Sequence, residues 1–268
     1  MAGSGFVYGL NIPTDALTGV HVLDCPGCQR TRRRLPRKTC VPVSERQLQL
    51  LHMDVCGPMP VASLGGSRYF LTVLDDFSRL SVVRCIARKA DVPDVLRAVI
   101  VLLETQSNRL VQRIRSDRGG EFVNHSLANY YNSKGIVRVL TAGYSPESNG
   151  AAERVRRTLM DRVRAMLLDS CFPAALWGEA VVAACYVGNR SPVSEVSQQT
   201  PWGLFCGCPP DVSNLRVFGC KVHAHVPEVC VPNQIVRVVL VFLLGMMALI
   251  NVFCWMALVM LCLLVMSV

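Results

Sequence analysis

The sequence predicts an α/β domain, a mixed five-stranded sheet flanked by helices, followed by an apolar C-terminal helix. Three observations carry that prediction. Short β-rich runs alternate with stretches of helical periodicity between residues 44 and 190. Gly, Pro and Asn punctuate the joints between them. After Arg237 no charged residue occurs through Val268, a run longer than the roughly 20 residues that cross a bilayer.

At 268 residues the chain holds one domain of ordinary size with short appendages, so a core stable without disulfides is expected. The 28 Lys and Arg against 19 Asp and Glu give a net charge of +9, which suits a polyanionic partner such as nucleic acid. The N-terminus lacks the basic and apolar regions of a secretory signal, and the 13 cysteines are read as reduced thiols.

Residues 1 to 24 show no sustained period. From Cys25 to Cys40 a CxxC pair, Cys25 and Cys28, precedes a basic run that includes Arg32, Arg33 and Arg34. That run is a phosphate-contacting arm, a nuclear import signal or a solvated linker. QLQLLHMDV then reads as a strand ending near Asp54, and RYFLTVLDD with LSVVRCIAR as a hairpin that sets the first three strands antiparallel. A helix fits Asp91 to Glu104, with Val95, Leu96, Val99, Leu102 and Leu103 on its apolar side. VQRIRSD is a fourth strand ending at Asp117, and Gly119 and Gly120 turn the chain into a helix bearing Leu127, Tyr130 and Tyr131. Ile136 to Thr141 is the fifth strand. Pro146, Asn149 and Gly150 mark a loop before a long helix in which Val155, Leu159, Val163, Met166 and Leu167 recur at helical spacing. Phe172 to Arg190 reads as one more buried helix, with Pro173 in its first turn. This order of elements is that of a ribonuclease H-like domain.

Within it three carboxylates stand out: Asp54 on the first strand, Asp117 after the fourth, and Glu153 in the first turn of the long helix, with thirty-five residues between the last two. In this topology the first and fourth strands are neighbours and the helix packs across them. Three acids so placed suit hard divalent cations, which favour oxygen ligands and drive phosphodiester chemistry without a protein nucleophile. Asp75, Asp76 and Glu121 are read as structural acids, because turns after strands are rich in them. Arg157 and Arg164 lie four and eleven residues past Glu153 and seven apart, either as an ordinary exposed face or as contacts to DNA phosphates.

The segments LHMDVCGPMP, YFLTVLDDFSR, RSDRGGEFVN, SPESNGAAERVRRTLMDRVRAML and TPWGLFCGCPPDVSNLRVFGC resemble the integrase of copia-type long-terminal-repeat retrotransposons, over about residues 25 to 228. The five segments stand in the family's order, and the two downstream acids keep its spacing. The resemblance implies a DDE motif of catalytic and metal-binding acids at Asp54, Asp117 and Glu153, with Mg²⁺ or Mn²⁺ as cofactor. It implies a polynucleotidyl transferase that processes retrotransposon DNA ends and joins them to target DNA. DNA, further copies of the chain and a nuclear location come with that reading. The alternative is a catalytically inactive nucleic-acid-binding relic, membrane-anchored by its tail.

The resemblance divides the chain into residues 1–43, a partial zinc-domain remnant with the basic arm; 44–228, the catalytic core; and 229–268, a hydrophobic tail. The family carries a His/His/Cys/Cys zinc domain in front of its core. Cys25 and Cys28 match the second half of that site, but no paired histidines precede them and His21 alone does not complete four ligands, so bound zinc is not expected. The tail departs as well, since a resembling integrase continues with polar, basic sequence. Val238 to Val268 is either a membrane-spanning helix or the product of a reading frame that diverges near Val229, and the second origin is favoured because an integrase gains nothing obvious from a bilayer.

Overall fold

The computed structural model describes residues 44–140, 150–194, 199–225 and 238–242. The chain divides into two units, one up to Asn214 and one from Leu215. Cys25, Cys28, Arg32, Arg33 and Arg34 lie outside the described residues, as does most of the apolar tail.

In the first unit β1 (Leu50–Cys56), β2 (Tyr69–Asp75), β3 (Ser81–Ile86), β4 (Arg113–Ser116) and β5 (Val137–Leu140) form one mixed sheet in the order β3-β2-β1-β4-β5. The expected hairpin is present: β2 pairs antiparallel with both β1 and β3, while β4 runs parallel to β1 and to β5. The alternation of side chains along β1 divides its two faces. Leu51 and Met53 join the larger core cluster, whereas Leu50, His52 and Asp54 point to the opposite face.

Helix α1 (Val92–Ser107) makes the crossover from β3 to β4, starting at a proline turn and ending where Asn108 takes a left-handed conformation. Its buried stripe is Val92, Leu96, Val99, Ile100 and Leu103. The sequence assignment of Leu102 to that stripe is corrected: Leu102 is 36% exposed and Ile100 is fully buried. Leu102 lies about 100° round the helix from the centre of the stripe, more than a quarter turn on a wheel of 3.6 residues per turn and enough to carry it past the buried edge. Helix α2 (His125–Lys134) is capped by Asn124, whose side chain accepts from the Leu127 N–H, and stops at Gly135, where φ is +67° and a side chain would be strained. Together α1 and α2 close one face over Leu51, Met53, Leu71, Val73 and Ile114. Each such fully buried side chain contributes about 1.5–3 kcal/mol.

The other face is covered by α3 (Gly150–Ser170) and α4 (Trp177–Asn189). Helix α3 buries Ala152, Leu159 and Val163; Val155, Met166 and Leu167 are only half-buried, so the apolar stripe is narrower than the sequence suggested. The expected helix from Phe172 begins instead as a 3-10 turn, Ala174–Leu176, and becomes α-helical at Trp177. Trp177 packs on Phe70 with ring centroids 6.1 Å apart, and Asn189 ties the helix to the edge strand by donating from Nδ2 to the Ser81 carbonyl at 2.7 Å. A short α5 (Pro201–Cys206), capped by Thr200, returns to the start of the sheet, where Gln47 Nε2 donates to the carbonyls of Leu204 and Phe205.

In the second unit β6 (Lys221–His225) pairs antiparallel with β7 (Val238–Phe242). This corrects the expected apolar C-terminal helix over its first five residues, VVLVF, which form a strand. Composition alone does not separate a buried strand from a buried helix, and β-branched valines favour the pleated form. Among the described residues no helix is long and apolar enough to cross a membrane. Residues 243–268 lie outside the described residues.

Candidate active site

The parallel pairing of β1 with β4 sets the geometry. Leu50, Leu51 and His52 lie opposite Arg113, Ile114 and Arg115, and the same register continued two residues brings Asp54 level with Asp117. Helix α3 packs across β1 and β2 on the face that carries Asp54, with Glu153 in its first turn. Strand pairing and helix packing thus bring residues far apart in sequence to one end of the sheet.

The three acids differ in environment. Asp54 is 6% exposed, while Asp117 and Glu153 are open to solvent. Burial pushes the Asp54 carboxyl up to about 6; the Arg156 guanidinium holds it down, and the charges of Asp117 and Glu153 push it up further. Asp54 Oδ2 lies 3.0 Å from Arg156 Nε, but it accepts no aligned hydrogen bond. The contact is one of charge, and a buried carboxylate oxygen is left with unused acceptor capacity.

Asp117 sits on a turn shaped by its own side chain, Oδ1 accepting from the Gly119 N–H at 3.0 Å. Behind it Lys89 donates to Glu121 at 2.8 Å. Burial pushes the Glu121 carboxyl up, but the Lys89 hydrogen bond, a backbone hydrogen bond and the Lys89 charge together outweigh it and hold it below the usual range. A Cβ at Gly119 would stand 2.8 Å from the Glu121 carboxylate and 3.1 Å from Asp117 Oδ1, so a side chain there would displace the Glu121 carboxylate.

Arg157 and Arg164 are exposed on α3, Arg164 with its guanidinium 2.9 Å from Asp161. Among the described residues the arginine paired with one of the three site acids is Arg156, which the sequence reading passed over. Its signal was available: a residue three past Glu153 lies on the same side of the helix. Burial pushes the neighbouring Cys56 thiol up, and Arg156 again pulls against it, so this guanidinium spans both Asp54 and Cys56 at the end of β1.

The chemistry of the donors fits a hard divalent cation, because three carboxylates act on one another and one presents a buried oxygen without a hydrogen bond. Among the described residues, however, no three ligating side chains stand close enough together to hold a metal as they are. Asp75 and Asp76 are spoken for elsewhere. Asp75 accepts from the N–H groups of Leu48 and Ser78 and from the Ser78 hydroxyl, and Asp76 from the Ser44 N–H and Arg79, with the His52 ring at 3.1 Å.

Residues 44–146 match the model of the integrase core domain. The chain is 40% identical over 188 residues to the retrovirus-related Pol polyprotein from transposon TNT 1-94 of Nicotiana tabacum, a match covering 69% of this chain and 14% of that protein. It is 28% identical over 203 residues to the Pol polyprotein from transposon RE2 of Arabidopsis thaliana, covering 75% of this chain and again 14% of the relative. The chain therefore spans a small part of the curated relatives it matches. Among solved structures it is similar to a chain of the simian T-cell lymphotropic virus intasome in complex with PP2A regulatory subunit B56 gamma, with 18% identity, a TM-score of 0.51, and cover of 65% of this chain and 59% of that one. That likeness is one of fold and agrees with a ribonuclease H-like sheet. Family model and relatives agree: residues 44–146 match an integrase core domain, and the chain is similar to part of the Pol polyproteins of copia-type retrotransposons.

Proposed function

We propose that the first unit is the catalytic core of a DNA integration enzyme, a polynucleotidyl transferase that processes element DNA ends and joins them to target DNA. The observation that carries this reading is Asp54, a buried carboxylate with an oxygen lacking a hydrogen bond, whose charge is coupled to Asp117 and Glu153 across two strands and a helix. In the reading Asp54, Asp117 and Glu153 hold Mg²⁺ or Mn²⁺. When bound, the cation supplies charge for activating an attacking water or 3′-hydroxyl and for stabilising the leaving oxygen.

The chain's own residues prepare that chemistry. The sheet fixes Asp54 on β1 and Asp117 just past the end of the neighbouring β4, while Glu153 rides in the first turn of α3. Gly119 and the Lys89–Glu121 pair set the direction of Asp117. Arg157 and Arg164, exposed along the helix that carries Glu153, are placed for phosphates, which position a duplex without reading its sequence. Assembly with further copies of the chain and a nuclear location belong to the same reading.

The test is strand transfer of a short duplex by the full chain with Mg²⁺ or Mn²⁺. Joining that requires the metal and is abolished by Asp117→Asn or Glu153→Gln is the expected result. Salt-sensitive duplex binding with no metal-dependent cutting or joining assigns the chain instead to nucleic-acid binding alone.

A further inference from the structure

We propose that Arg156 is the resident counter-ion of Asp54 and competes with the divalent cation for Asp54 Oδ2, so that metal entry requires the guanidinium to move aside. The inference rests on the reading of Asp54 as a metal ligand. Four observations place Arg156 in this role. Its Nε is 3.0 Å from Oδ2, the same buried oxygen that accepts no hydrogen bond and that a cation would use. The Arg156 side chain is 39% exposed against 9% for Asp54, so the guanidinium covers the carboxylate from the solvent side, where a cation must arrive. It comes from α3, three residues after Glu153, so one helical turn carries both an acid expected at the metal and the base that occupies its place. It also acts on the Cys56 thiol at the end of β1, which offers a second weak partner on the same strand.

The physical argument is one of charge in a small volume. A buried carboxylate without a countercharge is costly, and three acids repel one another at one end of a sheet. Arg156 relieves both costs when no cation is bound. Once a divalent cation sits on the same oxygen, the neighbouring guanidinium is repelled by it. An arginine on an exposed helix face has an easy exit to water, because its long stem reorients without disturbing the core.

Competition makes a prediction opposite in sign to that of a structural or metal-supporting arginine. Mn²⁺ binding to the full chain, read by electron paramagnetic resonance of the free ion at pH 8, is compared among the unmodified chain and the variants Arg156→Gln, Arg156→Lys and Asp54→Asn. Removal of the positive charge in Arg156→Gln is expected to tighten Mn²⁺ roughly tenfold, a size set by the partly solvated unit charge that is lost. Arg156→Lys, which keeps the charge, is expected to stay within about threefold of the unmodified chain. Circular dichroism and a urea midpoint establish that each variant is folded. Unchanged or weaker Mn²⁺ binding by folded Arg156→Gln overturns the competition. Should Arg156→Gln fail to fold, a falling Mn²⁺ affinity of the unmodified chain as guanidinium ion is added at sub-denaturing concentration supports competition, and no effect of that ion overturns it. If Asp54→Asn binds Mn²⁺ as well as the unmodified chain does, the metal site itself is elsewhere, and the reading beneath this inference fails first.

Discussion

Two buried aspartates sit on neighbouring strands, Asp75 at one end of the β1–β2 pair and Asp54 toward the other. Asp75, opposite Leu51, is 1% exposed and receives three hydrogen bonds from Leu48 and Ser78. Asp54, opposite Thr72, is 6% exposed and has an oxygen with no hydrogen bond and a guanidinium beside it. Burial raises both carboxyls, but local donors pull against it at Asp75, whereas at Asp54 the main opposing influence is a long, half-exposed arginine. Burial by itself therefore does not mark a working acid. The difference lies in whether the carboxylate's acceptor capacity is spent on its own turn or left open toward other elements.

The largest expected effect separates the two ends by activity. Asp54→Asn is expected to lower metal-dependent strand transfer by more than about a thousandfold, some 4 kcal/mol in barrier, with circular dichroism unchanged. Retained joining in a folded Asp54→Asn chain breaks the comparison at its centre.

Asp75→Ala tests the other end. It strands the Leu48 and Ser78 N–H groups inside the core, and a loss of about 3 kcal/mol or more is expected by urea unfolding. A loss below 1 kcal/mol shows that the turn does not depend on that carboxylate.

Asp54 also gives a pH signature. Its carboxyl, raised from 3.8 to about 6, keeps its proton in the folded chain over a window where the unfolded chain has lost it. Its contribution to stability is thus fully present below 3.8 and is lost as pH rises through about 6. With a chelator present, Asp54→Asn is expected to stabilise the chain by about 1–3 kcal/mol at pH 7.5, and the gain should vanish by pH 3.5. A gain that is the same at both pH values points away from the titration of this acid. Asp75→Asn serves as the contrast, since the amide replaces an oxygen that accepts with a nitrogen that donates toward Ser78, and it should destabilise at pH 7.5.

The smallest effect belongs to the brace behind Asp117. Lys89 is 48% exposed, so Lys89→Met is expected to cost only about 0.5 kcal/mol, while releasing Glu121 beside Gly119 and slowing strand transfer roughly tenfold. Equal losses in stability and rate would assign Lys89 to folding alone.

Much of the fold was legible because its signals are local. β-rich runs marked β1 to β3, Gly119 and Gly120 marked the turn into α2, and the short gap between RYFLTVLDD and LSVVRCIAR made the hairpin readable before any contact was known. Reading failed where a local pattern fits two structures or sits at the edge of one. VVLVF is as apolar in a strand as in a helix, and pairing with Lys221–His225 made it β7. Leu102 and Ile100 stand near opposite margins of the same stripe, and only the packing of α1 on the sheet excluded one and buried the other.

At the site, the sequence by itself determined which acids are present, their spacing, and the elements that carry them. The tertiary structure decided that Asp54 is buried while Asp117 and Glu153 are exposed, and that Arg156 rather than Arg157 faces the carboxylate. The reason is physical: helix and strand periods are set by neighbours a few residues away, whereas the dielectric around a charge and the identity of its partner are set by whatever the fold brings from elsewhere in the chain.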